Sequence, residues 1–286
     1  MQQGKDMKES IKVKILLWVV FALFMIYILT LMVPLYYLIL NSFKTSGDFV
    51  QNRWTFPEKF TFENFVRAFE MRSGDTTLSM MFVNSVLLSV GATVVSVASI
   101  TVTAYTLARF RFFGRNFLVV VAMSAMAFPA LGSGAAIYKL MVDWGLIDTW
   151  GILIMFGGPF GFSFLIMYSY FKGISHTYAE AARLDGAGEF LIFFRVILPM
   201  TKAALGVIIF MGIVGSWNDS YTPYMYLPET KTLATGLQAF SVNAATTGAY
   251  TPMFAAMILG TAPMVILFIC MHKTIINNTV TGGLKG

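Results

Sequence analysis

Charge is scarce in this chain. Only 12% of its 286 residues are Asp, Glu, Lys or Arg, about half the ~25% of soluble domains, and mean hydropathy is +0.72. This excludes a soluble fold with a solvated surface and points to a membrane protein. Cysteine is scarcer still. Cys270 stands alone, which excludes an intrachain disulfide and a cysteine metal cluster and makes it read as a small buried hydrophobe. The histidines, His176 and His272, have no second His or Cys at ligand spacing and read as surface residues, so no metal site is expected. A G-x-x-x-x-G-K-S/T segment is absent, and with it that route to nucleotide binding. No internal repeat, low-complexity tract or linker divides the chain, which reads as a single membrane domain over 1–286.

What remains is oil. Hydrophobic residues make up 57% of the chain, and uncharged windows run over 15–43, 76–108, 116–138, 149–171, 203–218 and 232–271. Each holds an apolar core near the ~20 residues that a helix needs to cross the hydrocarbon. The fold class is therefore all-α with six transmembrane helices, at about 15–40, 82–108, 117–138, 151–171, 203–226 and 253–271. The first of them follows Lys5, Lys8, Lys12 and Lys14 as a signal peptide would. Its apolar run, however, exceeds the ~7–15 residues of a signal core and meets no small-residue cleavage site.

The net charge of +6 is explained by position rather than by nucleic acid. With the N-terminus inside, the inner segments hold those four lysines with Arg109, Arg111, Arg115, Lys172, Arg183, Arg195, Lys202, Lys273 and Lys285. The outer segments hold Lys139 and Lys231, apart from the 41–80 stretch, where basic and acidic residues balance. This asymmetry places both termini in the cytoplasm. In the 41–80 stretch Phe62, Phe65, Val66 and Phe69 recur at helical spacing behind Thr61, a candidate N-cap. The spacing predicts a short amphipathic helix on the outer membrane surface or on a partner. Gly and Pro interrupt the spans, among them Pro34, Pro129, Gly132, Gly157, Gly158, Pro159, Gly161, Gly212 and Pro263. Such breaks are tolerated at membrane depth where protein covers the backbone.

One inner segment, 172–202, breaks the pattern. Thr177 and Glu180 have capping-box spacing and predict a helix start. Ala179, Ala181 and Ala182 give that helix a face with almost no side chain, and Glu180 can pair with Arg183 three residues on. Asp185 and Gly186 end it, glycine supplying a left-handed cap. The apolar "EFLIFFRVILP" then starts a second helix that lies against the membrane or the bases of the spans, with Pro199 at the next boundary. Such a unit is either a knob for a cleft in another protein or an amphipathic helix resting on lipid.

The stretch "EAARLDGAGEFLIFFRVILP" resembles the EAA loop of binding-protein-dependent ABC importer permeases, matching it at Glu180, Ala181, Ala182, Asp185, Gly186, Ala187 and Pro199. The likeness continues through "NSFKT", "FTFENF", "NSVLLS", "AYTLARFRFFGR", "GLIDTWGILI", "GSWNDSYTPY", "KTLATGL" and the terminal "GGLKG". Together these resemble the carbohydrate, maltose-like branch, in its shorter permease type. The family often has proline where Ser175 stands and an acidic residue where Thr177 stands, and a capping hydroxyl can take over the proline's role.

The resemblance implies a permease subunit with no catalytic residue and no cofactor of its own. It implies an ATPase-coupling set of Glu180, Ala181, Ala182, Arg183, Asp185, Gly186 and Ala187 that docks on a cytoplasmic ATPase. The expected partners are two ATPase subunits, which hold ATP and Mg, a second homologous permease, an extracytoplasmic solute-binding protein and the bilayer of a prokaryotic inner membrane. Candidate substrate-pathway residues are Asn84, Ser85, Trp217, Asn218 and Asp219. The carboxylate of Asp219 near a span edge is functional by default, but Trp and Tyr also mark the membrane interface. A stand-alone secondary transporter is the alternative, and it would need intramembrane carboxylates, of which the spans offer Asp219. A membrane enzyme would need a catalytic cluster at depth, and none is seen in the sequence.

Overall fold

The computed structural model describes residues 2–127 and 133–282, with side chains over 11–125 and 133–272. Pro129, Gly132 and Lys285 lie outside the described residues. The helices are α1 (Gln2–Ser42), α2 (Ser46–Gln51), α3 (Glu63–Glu70), α4 (Leu78–Arg109), α5 (Arg115–Ala127), α6 (Ser133–Asp143), α7 (Phe162–Gly173), α8 (Thr177–Leu184), α9 (Glu189–Leu191), α10 (Leu198–Met200), α11 (Lys202–Asn218), α12 (Tyr221–Tyr226), α13 (Leu233–Thr247) and α14 (Tyr250–Gly282). A 3-10 helix covers Trp150–Gly157 and a π-helical turn covers Ile192–Ile197. Strands β1 (Arg72–Ser73) and β2 (Thr76–Thr77) form one antiparallel pair around Gly74, with Arg72 opposite Thr77.

Among the described residues, three helices are long and apolar enough to cross a membrane: Ile11–Ser42 in α1, all of α4, and Tyr250–His272 in α14. Pro34 and Pro263 sit inside the first and third without ending them. These helices are three of the six spans expected from hydropathy; the other windows are interrupted, or run into residues outside the described ones. The 151–171 window divides into the 3-10 helix and α7, which are bent by 55°. The cause is local: Pro159 has no N–H to continue a helix, and Gly161 takes φ 152°, which a side chain would oppose. The 203–226 window also divides. There α11 stops at Asn218, and Asp219 Oδ1 accepts the N–H of Thr222 at 3.0 Å to start α12. The 117–138 window holds α5 and the first part of α6, on either side of residues 128–132.

Contacts within the chain define two compact units, Met1–Glu70 with Phe240–Leu259, and Met71–Ala239 with Gly260–Gly286. In the first, buried Asn64 of α3 donates two hydrogen bonds from Nδ2, to the Ser42 and Lys44 carbonyls, both at 2.7 Å. Thr61 Oγ1 accepts from Glu63 N at 3.1 Å, the cap the sequence predicts. Helix α3 thus turns Asn64 and Ala68 inward and leaves Phe62, Val66 and Phe69 exposed. Its apolar face is the outward one, as an interfacial helix requires. Phe49 packs on Tyr250 and Phe254, at ring separations of 5.5 and 5.7 Å.

The second unit is organised around α4. Its core joins Tyr105 of α4 to Phe164 and Phe171 of α7, to Ile192, Phe193 and Ile197 of the π turn, and to Ala204 and Ile208 of α11. Glycines set the spacing where helices cross. A Cβ on Gly212 would stand 3.1 Å from the Thr93 side chain, and one on Gly91 would stand 2.9 Å from Leu153. Small residues at such crossings let backbones approach, which is how helices gain packing in an apolar solvent. Cys270 is exposed on α14, not buried as its type suggests. Within an apolar span an exposed position is still a dry one, so burial inside the chain was not needed to shelter the thiol.

Candidate ATPase-coupling loop and a polar cavity

The 172–202 segment begins where α7 ends at Gly173. The last residue of α4, Arg109, reaches across to it. Its Nη1 donates to the Ile174 carbonyl at 2.7 Å and its Nη2 to the Ser175 carbonyl at 3.2 Å. A guanidinium suits this task because its fork holds two acceptors at once. Ser175 then caps the next helix, its Oγ accepting from Thr177 N at 3.3 Å and lying 2.9 Å from Thr177 Oγ1. The capping box expected between Thr177 and Glu180 is not formed. His176 already has helical dihedrals (φ −64°, ψ −26°), so the backbone enters the helix before Thr177 and the cap falls to Ser175. That is the position where the family often places proline.

Helix α8 ends in a complete Schellman motif. Gly186 N–H bonds to the Arg183 carbonyl at 3.0 Å and Ala187 N–H to the Ala182 carbonyl at 2.9 Å. Gly186 adopts φ 84°, the left-handed conformation that this motif needs. Arg183 does not pair with Glu180. It spans the turn instead, its Nε donating to Glu189 Oε1 at 2.8 Å and its Nη2 standing 2.8 Å from the same oxygen. The turn folds α9 back towards α8, which brings Glu189 to Arg183.

Burial separates α8 and the turn after it into two faces. Ala179 is buried, and Ala182 and Ala187 pack against the core. Glu180, Ala181, Arg183, Asp185 and Gly186 are exposed. The bare alanine face expected to meet a partner is thus used, in part, to seat α8 closely on its own chain. The outward side carries two residues that sequence reasoning missed, Leu184 at 90% exposure and Phe190 at 84%. The available signal was an apolar residue set directly between Arg183 and Asp185.

Behind α8, residues 189–200 run as α9, the π turn and α10. Ile192, Phe193 and Ile197 are buried, and the Phe193 ring lies 4.6 Å from that of Tyr105 in α4. Across this π turn Ile192 and Ile197 both face the core. The helix boundary expected at Pro199 falls at Thr201, where the chain bends by 80° into α11.

The candidate pathway residues have different surroundings. Asn84 Nδ2 donates to the Lys231 carbonyl at 2.9 Å, and buried Ser85 Oγ accepts from Leu233 N at 2.7 Å. Both tie α4 to the segment that leads into α13. Trp217 is buried, its Nε1 donating to the Gly260 carbonyl at 3.2 Å. Asn218 is exposed and donates one N–H to the Val214 carbonyl at 2.8 Å. Asp219 is engaged in starting α12. A cavity of about 360 Å³ opens beside them, lined by Trp217, Asn218, Ser220, Gln238, Thr261 and Met264 among others. Asn84, Ser85 and Asp219 do not line it, whereas Gln238 and Thr261 do and had not been anticipated.

Comparison with known proteins gives this geometry a family. A diacetylchitobiose uptake system permease protein of Streptomyces coelicolor is 28% identical over 92% of this chain and 86% of its own length. A galactooligosaccharides transport system permease protein of Bacillus subtilis is 30% identical over 80% of this chain and 82% of its own. A crystal structure of a bacterial ABC transporter that imports the acidic polysaccharide alginate contains a chain that superposes with a TM-score of 0.77 at 26% identity, covering 91% of this chain and 96% of that one. The family model of the binding-protein-dependent transport system inner membrane component matches residues 96–278, which include α8, the Schellman turn and the π turn. The chain belongs to that family of ABC importer permeases.

Proposed function

We propose that this chain is the shorter permease subunit of an ATP-driven importer of a sugar, an oligosaccharide or a related polyol. It would lie in a prokaryotic inner membrane with both termini cytoplasmic and contribute half of the translocation pathway. Of the expected six crossings, three are the continuous helices and the rest are assembled from the broken segments. The names of several relatives support the solute class, among them permeases for melibiose, raffinose and stachyose, for arabinooligosaccharides and for maltodextrin.

The observation that carries the coupling role is the exposed tip of α8. Helix α8, entered through carbonyls held by Arg109 and closed by Gly186, exposes Leu184 at its end among exposed Glu180, Arg183 and Asp185, and α9 across the turn exposes Phe190. That is a knob with apolar anchors and a polar rim, the composition of a protein-docking surface. The partner it suits is an ATPase subunit that holds ATP and Mg, since hydrolysis is assigned to that subunit. Closure of two such ATPases would be carried through α8 into α4, whose C-terminal end holds the loop and whose first turns hold the 231–233 segment. A second permease and an extracytoplasmic binding protein complete the assembly. Uphill import then requires that ATP binding favour one access state over the other, a coupling free energy between distant sites. The stand-alone transporter is the less favoured reading, because the relatives are permease proteins of uptake and import systems.

Purification of the tagged chain from its native membrane tests this reading. Two ATPase chains and a second permease are expected to copurify, and Leu184→Cys is expected to crosslink to the ATPase. An isolated chain that transports solute without ATP would overturn it.

A further inference from the structure

The cavity beside Trp217 has a chemistry of its own. Asn218 and Gln238 each bring a carboxamide, with donor and acceptor on one group. Ser220 and Thr261 bring hydroxyls, and Leu233, Leu237 and Met264 bring apolar wall. No charged side chain lines it among the described residues, and the one carboxylate next in the chain, Asp219, is turned to Thr222 N. Trp217, fixed through its Nε1 on the Gly260 carbonyl, contributes an immobile aromatic wall. The volume falls in the ~300–1,000 Å³ range of small-molecule clefts.

From this geometry we infer that the cavity is a subsite for one ring of a neutral, polyhydroxylated solute, and that it discriminates against uronates. The inference rests on the importer reading above. Paired carboxamides match a sugar hydroxyl that both donates and accepts, and the aromatic and aliphatic wall matches the C–H face of the ring. A carboxylate entering here would shed water and meet no cation, and burying an unpaired charge is strongly unfavourable. Arg and Lys would have been needed for an acidic polysaccharide. The Asn218 side chain is already oriented by its bond to the Val214 carbonyl, which lowers the cost of ordering it on a ligand.

The test uses the complete importer, with its ATPases, second permease and binding protein, in proteoliposomes. With Cys270→Ser as background, Gln238→Cys is treated from the binding-protein side with a membrane-impermeant methanethiosulfonate. The probes are raffinose and maltotriose as neutral sugars and trigalacturonate as the anion. The thiol is expected to react, and millimolar amounts of at least one neutral probe are expected to slow the reaction about fivefold or more, while trigalacturonate leaves it unchanged. Adding Asn218→Ala is expected to raise the half-protecting concentration about tenfold, the loss of one or two hydrogen bonds, in a complex that still assembles with its ATPases. An unreactive thiol, protection by neither neutral probe, equal protection by trigalacturonate, or no effect of Asn218→Ala would each overturn the subsite. Those outcomes in a complex that assembles and hydrolyses ATP leave the importer reading intact, whereas failure of the ATPases to copurify defeats that reading itself.

Discussion

Arg183 and Glu189 close a ring around the glycine turn, with Nε to Oε1 and Nη2 to Oε1 both at 2.8 Å. The side chains are 50% and 45% exposed, so the pair contributes only ~0.2–1 kcal/mol to stability. Its effect is on angle: it fixes the direction in which α9 leaves α8, and so the attitude of the knob. Arg183→Ala or Glu189→Ala should move the unfolding midpoint of the purified complex by less than ~4 °C. Solute moved per ATP hydrolysed should fall in both, and the exchanged pair Arg183→Glu with Glu189→Arg should recover part of it. Unchanged coupling in both single variants would remove the tie from the mechanism.

Gly186 separates conformational from steric need. A Cβ placed there meets no atom within 4 Å, yet φ is +84°, so the only penalty on a side chain is backbone strain, ~1–2 kcal/mol for an L-residue. Asn tolerates this region better than Ala, and β-branched residues least. Coupling should therefore rank Gly, Asn, Ala, Val, with expression and membrane insertion unchanged throughout. Measured transport-to-hydrolysis ratios check the order. Equal coupling for Gly and Val would show that the turn is not held as described.

Much of this was legible in the sequence because hydropathy and capping chemistry are local. The apolar runs gave α1, α4 and α14, Thr61 gave the start of α3, and Asp185-Gly186 gave the end of α8. What was not legible depends on contacts made at a distance. Glu180 and Glu189 are both within reach of Arg183 along the chain, and only the folded turn selects Glu189. Ala179 and Ala181 look alike as residues, but packing against the core hides one and exposes the other. The π turn has no signature at a 3.6-residue period, and the division of the fifth window required knowing that Asp219 caps a new helix. Gln238 was missed for the same reason: it joins Asn218 only because α13 and α11 line one cavity.

Arg109 offers a test of the route from the loop into α4. Its two bonds end on consecutive carbonyls just past α7. Arg109→Lys keeps the charge but replaces the fork by a single ammonium, and Arg109→Met keeps only the stem. Hydrogen exchange of the amides of residues 175–187 should accelerate about fivefold in the first and about thirtyfold in the second, as local opening becomes cheaper by ~1 kcal/mol per bond lost. Exchange in α13 should stay as it was. Faster exchange everywhere would mean general destabilisation, and no change at all would mean that Arg109 does not hold the loop.

Asn64 is the corresponding support in the other unit, and there the stake is stability rather than coupling. Its Nδ2 serves the Ser42 and Lys44 carbonyls at the end of α1. With Asn64 5% exposed, water cannot replace it freely. Asn64→Ala leaves two carbonyls short of donors, and a buried group left unsatisfied costs ~1–3 kcal/mol. Asn64→Asp keeps the shape but offers oxygens to oxygens, so it should be worse than Ala. Both should lower the unfolding midpoint and expose the 43–70 segment to protease, while Val66→Ser, on the exposed face of α3, should leave the midpoint nearly unchanged. If Asn64→Asp proved as stable as the parent protein, the two carbonyl bonds would not be what holds α3 against the end of α1.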